Sequence, residues 1–96
     1  MNLGYDGHPI IKYGNVAATI SSGSNFGNAE ISFDGLGFRG VPCLIVTAAH
    51  NSNANVFAKI RTISADKAEI SICAPTVTTV DINGRLYWIA MSTNYD

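Results

Sequence analysis

Apolar and polar residues alternate along most of this chain in short runs, each closed by a cluster of glycine, asparagine or serine. That pattern predicts strands joined by turns, because successive side chains of a strand point to opposite faces. Six runs stand out. Residues 13–20 set Val16, Ala18 and Ile20 against Asn15, Ala17 and Thr19, and give way to Ser21-Ser22-Gly23-Ser24-Asn25. Residues 29–33 place Ile31 and Phe33 opposite Glu30 and Ser32, ahead of a glycine-rich stretch at 35–40. Pro42 opens residues 43–49, whose nearly continuous apolar character predicts burial on both faces. Residues 56–63 alternate Val56, Ala58, Ile60 and Thr62 with Phe57, Lys59 and Arg61. After a turn at Asp66-Lys67, residues 68–73 put Ala68, Ile70 and Ile72 on one face. The last run, 85–91, has Leu86, Trp88 and Ala90 opposite Tyr87, Ile89 and Met91. Asn83-Gly84 is either a two-residue hairpin turn, pairing 78–82 with 85–89, or an ordinary loop. No helical period persists over a dozen residues.

The expected fold is therefore an all-β sandwich over residues 13–96, with residues 1–12, which carry Gly4, Gly7 and Pro9, as a linker or stalk end. A chain of 96 residues leaves room for one core. A final run that is apolar on both sides predicts one face on that core, with Trp88 in it, and the other on a neighbouring subunit.

Composition strengthens the case for self-association. Charged residues make up 14% of the chain, against about 25% in an average soluble domain, so part of the surface is expected to meet other subunits. The formal net charge is −1, and the six basic residues are too scattered to neutralise a row of phosphates, which argues against nucleic acid. The apolar runs are far shorter than the roughly 20 residues of a spanning helix, so no membrane insertion is expected. The N-terminal residues lack the basic start and apolar centre of a secretory signal, which favours assembly in a cytoplasm. Cys43 and Cys73 have no CxxC spacing and sit in apolar runs, where buried free thiols are expected in preference to a disulfide.

Candidate chemistry is sparse. His8 and His50 are isolated in sequence and read as surface residues. No Gly-x-Ser-x-Gly turn is present, and Glu30, Asp34, Asp66 and Glu69 occupy alternating or turn positions that suit solvated charges. Gly35, Gly37 and Gly40 do not lead into a helix, so they cradle no phosphate. No catalytic residue, metal site or cofactor is expected, and the protein reads as non-enzymatic. Lys59 and Arg61 share one face of the fourth run, suited to an anionic ligand, a partner carboxylate or plain solvent. The Ser- and Asn-rich segments 21–28 and 50–55 suit hydroxyl-rich ligands and ordinary turns alike.

The order of runs resembles a known family. Tyr13-Gly14-Asn15-Val16, Ile31-Ser32-Phe33 and Phe38 followed by Val41-Pro42 are similar to the opening half of the H-type lectin-like fold. Ile60-Arg61-Thr62-Ile63-Ser64, Ile70-Ser71-Ile72 and the closing Tyr87-Trp88-Ile89-Ala90-Met91 are similar to its second half. The fold occurs in invertebrate lectins and in the C-terminal tip domains of bacteriophage tail fibres. The resemblance implies a six-stranded antiparallel β-sandwich assembled as a homotrimer. The lectins' acidic loop falls near Ser22-Gly23-Ser24 here, their arginine on Asn55, and their Trp-His pair near Pro75-Thr76, so their particular sugar chemistry is not carried over. The positions imply a ligand site of small polar residues instead: Ser24, Asn25, Asn55 and Thr76. The expected role is a phage tail fibre tip or receptor-binding domain in the virion tail. It would recognise a host-surface glycan, alongside other tail proteins. The alternative is a non-binding structural trimerisation or assembly module.

Overall fold

In a computed structural model, which describes residues 10–50 and 55–92, six strands form two three-stranded antiparallel sheets. The strands are β1 (Ile11–Ile20), β2 (Phe26–Ser32), β3 (Cys43–His50), β4 (Phe57–Ile63), β5 (Lys67–Cys73) and β6 (Ile82–Met91). Their order is β1-β6-β3 in sheet A and β2-β5-β4 in sheet B. The first and last strands pair along their whole length, from Ile11 opposite Met91 to Ile20 opposite Ile82.

Alternation explains the core. Ala18 and Ile20 of β1, Ile31 of β2, Ala68, Ile70 and Ile72 of β5, and Ile82, Leu86 and Ala90 of β6 are buried between the sheets. Removing this apolar surface from water is the main force holding the two layers together. Past β2, Phe33 is buried and meets Phe38 and Trp88 edge-on, at ring-centroid distances of 5.7 and 6.1 Å. Trp88 itself is half-buried against the core. The β4–β5 connection is tied by Ser64, whose amide donates to Lys67 O and whose hydroxyl accepts from the Asp66 and Lys67 amides.

Several expectations change. β3 is an edge strand with one half-buried face and one exposed face, not a strand covered on both sides; Ile45 is 55% exposed. Asn83-Gly84 makes no hairpin but continues β6, opposite Thr19 and Ala18. The glycine answers a packing demand there: a Cβ would lie 2.7 Å from the Ala49 carbonyl oxygen and 3.2 Å from Ile72 Cδ1. Of the 78–82 segment that a hairpin would have paired with 85–89, Ile82 begins β6 and residues 78–81 lie against the β1–β2 turn, where Gly23 N donates to Thr78 O and Thr78 N donates to Ser24 O. Finally, both cysteines are free, but neither is buried: Cys43 is exposed and Cys73 half-buried. β1 starts at Ile11, two residues before the run expected at 13–20, and His8 lies outside the described residues.

Candidate functional site

The outer face of sheet B is built by the residues that alternate away from the core. Strand register sets them in rows. Phe26, Cys73 and Phe57 stand side by side across β2, β5 and β4, and the next row is Asn28, Ser71 and Lys59. Phe26 and Phe57 are 50% and 52% exposed, so two aromatic faces flank a half-buried thiol at one end of the sheet.

The third row is displaced by a β-bulge. Ile60 pairs with Ile70 and Thr62 with Glu69, which leaves Arg61 as an extra residue without a partner on β5. A bulge adds one residue to one strand and re-aims the side chains around it. Arg61 and Lys59 consequently line the same groove, with Asn25, Phe26, Phe57 and Ser71; it encloses ≈ 480 Å³. Ser71 is 4% exposed and donates from its hydroxyl to Asn28 Oδ1 at 2.9 Å. Among the described residues, Lys59 and Arg61 have no carboxylate partner. The acids of this face sit farther toward the β4–β5 turn and are engaged there: Glu30 pairs with Lys67 at 3.4 Å, and Glu69 accepts from Thr62 Oγ1 at 2.9 Å.

The four residues expected to bind ligand lie at this same end of sheet B, since Ser24 and Asn25 lead into β2, Asn55 lies two residues before β4, and Thr76 three residues after β5. Of these, only Asn25 lines the groove. Ser24 is engaged locally: its hydroxyl donates to Phe26 O and its carbonyl receives Thr78. Asn55 and Thr76 are exposed. Most of the 50–55 segment, residues 51–54, lies outside the described residues. The aromatic walls escaped sequence reasoning because Phe26 falls outside the alternating run at 29–33; Phe57, on one face with Lys59 and Arg61, was the available signal.

Sheet A carries a different face. Ile11, Met91 and Cys43 form one outward row; Tyr13, Ile89 and Ile45 form the next. Tyr13 is 82% exposed. Toward the other end the face becomes polar, with Arg85 donating to Asn15 Oδ1 at 2.8 Å and Thr19 Oγ1 to Asn83 Oδ1 at 3.1 Å. His50 is half-buried beside Gly84, Arg85 and Tyr87. No group of three or more His, Cys, Asp or Glu side chains that could hold a metal ion occurs among the described residues.

No protein-family model matches the chain, and no curated relative does. Solved structures do resemble it. The tailspike protein gp49 of Pseudomonas phage LKA1 superposes with a TM-score of 0.69 at 21% identity, covering 84% of this chain and 14% of its own. The Gp54 tailspike of Acinetobacter baumannii bacteriophage AP22, solved in complex with A. baumannii capsular saccharide, gives 0.69 at 12% identity, covering 88% of this chain and 17% of its own. The tailspike gp61 of Pseudomonas phage phi297 gives 0.63 at 18% identity, with 85% and 15% covered. The chain thus spans about one-sixth or less of each of these tailspikes, and what it shares with them is the fold of a six-stranded, two-sheet β domain.

Proposed function

We propose that this protein is a receptor-binding domain of a phage tail spike or fibre, which recognises a host-surface glycan as a homotrimer in the virion tail. The observation that carries the reading is the sheet B groove. Two half-exposed phenylalanines face it, with Asn25, Ser71, Lys59 and Arg61 supplying polar groups between and beside them. Sugar rings present apolar C–H faces to aromatic walls and hydroxyls to donors and acceptors, and a site of that composition serves both. Asn55 and Thr76 lie at its end and supply the rim, while Ser24, bonded to Phe26 and Thr78, holds the turn that presents Asn25. The likeness to tailspikes, one of them solved with a capsular saccharide, supports the same direction. A kinship with the H-type lectin-like fold is part of this reading.

The outward face of β6 and its neighbours serves the trimer. Tyr13, Ile45, Ile89 and Ile11 form an exposed apolar surface that a subunit interface would remove from water. Three copies on one rigid assembly multiply weak single-site binding. A glycan array probed with the purified protein tests the reading. Binding to defined glycans that is lost in Phe57→Ala supports it; a trimer that binds no glycan makes the domain a structural assembly module instead.

A further inference from the structure

The groove's charge is one-sided. Lys59 stands beside Ser71 on the sheet, and Arg61 is the bulge residue, held by no cross-strand neighbour and therefore free to follow a ligand. Among the described residues, the other charged groups of this face, Glu30, Glu69 and Lys67, lie nearer the β4–β5 turn, and each of them already has a partner. Two cations thus face a slot walled by Phe26 and Phe57 with no acid among the described residues to balance them.

We infer that the groove takes an acidic saccharide whose sugar carboxylate is held by Arg61 and Lys59, while the ring rests against the Phe57 and Phe26 faces. This rests on the glycan-binding reading and narrows its ligand class. A guanidinium matches a carboxylate with two parallel hydrogen bonds, and an ammonium adds a compact charge beside it. A neutral sugar would leave both cations without a partner and would gain only the weaker neutral hydrogen bonds. The buried Ser71 hydroxyl spends its proton on Asn28 and so offers only acceptor lone pairs, which suit a ring hydroxyl and not a carboxylate. The carboxylate is thereby directed to the basic side of the slot.

The test uses the full chain against polygalacturonate, alginate and polysialic acid, each beside its carboxyl-reduced neutral form. At least one acidic polymer is expected to bind about tenfold or more tightly than its reduced form, the difference that losing charge-assisted hydrogen bonds gives. Lys59→Gln and Arg61→Gln should each remove most of that preference. Lys67→Gln, with the same charge change at the far end of the same face, should leave it intact. Bound polymer should also slow alkylation of Cys73, on the groove floor, and leave Cys43, on the other sheet, unaffected. Equal binding of acidic and reduced forms overturns the acidic ligand while glycan recognition stands. Equal losses in all three variants overturn it as nonspecific charge attraction. If no polymer of either kind binds, the acidic ligand is overturned, and binding or its absence on the glycan array separately decides whether glycan recognition stands.

Discussion

Gly27 of β2 lies so close to Thr19 of β1 that a methyl group on its Cα would sit 1.8 Å from the Thr19 carbonyl oxygen. The obstacle is backbone, which cannot rotate away as a side chain tip does. Gly27→Ala is therefore expected to push the two sheets apart at this end. A destabilisation of more than about 3 kcal/mol follows from overpacking against a rigid neighbour, and urea unfolding measures it.

Trp88 packs against Phe33 and fills the space over Gly14, where an added Cβ would come within 2.9 Å of its ring. Because it is only half-buried, Trp88→Ala should cost about 2 to 3 kcal/mol, below the roughly 3 to 5 kcal/mol of a fully enclosed aromatic. A thermal melt within a degree or two of the parent would show that the ring contributes nothing to the core.

The sheet A face provides a test of assembly. Ile89→Lys places a charge in the middle of the outward apolar row between Tyr13 and Ile45. The variant should remain folded, since the residue is 44% exposed, and light scattering should give a monomer for it and, on the proposed assembly, a trimer for the parent. Cys43, at the end of that surface, should react faster with a thiol reagent in the variant than in the parent. A parent that is already monomeric removes the interface.

Ser24 and Asn25 are adjacent, yet their substitutions should separate binding from stability. Asn25→Ala removes a polar side chain from the groove and should weaken glycan binding by about 0.5 to 1.5 kcal/mol, with little change in melting. Ser24→Ala breaks the hydroxyl's bonds to Phe26 and should lower stability by a similar amount while leaving affinity close to the parent's. Titration calorimetry on both variants, beside their melts, distinguishes the two.

Much of the architecture was legible because burial on one side of a strand leaves a period-two trace. Ile31 against Glu30, or Ile70 against Glu69, announces which face is inside. What alternation does not record is which strands are neighbours. Asn83-Gly84 carries the composition of a turn, but the same small residue also admits a close carbonyl, and only the arrangement of β3 and β5 around Gly84 decides between the two. The apolar run at 43–49 misled for a related reason: residues kept apolar for a surface and residues kept apolar for a core look alike in sequence. The site was half legible. Lys59 and Arg61 were visible as a pair on one face, whereas the bulge that turns Arg61 into the groove and the register that sets Phe26 level with Phe57 are long-range facts.

The pairing of β6 with both β1 and β3 has a consequence for the order in which the protein can form. During synthesis β1 and β3 emerge early but have no strand to bond with until residues 82–91 leave the ribosome. β4 and β5, joined by a short turn, can pair as soon as they appear. Sheet B can therefore be assembled first, with its inner face of Ala68, Ile70 and Ile72 exposed, and sheet A closes over it in one late step centred on the final strand. Nascent chains stalled before residue 82 should carry that uncovered apolar layer and be aggregation-prone, and a substitution in β6 should slow folding more than an equally destabilising one in β4 if that closure is rate-limiting.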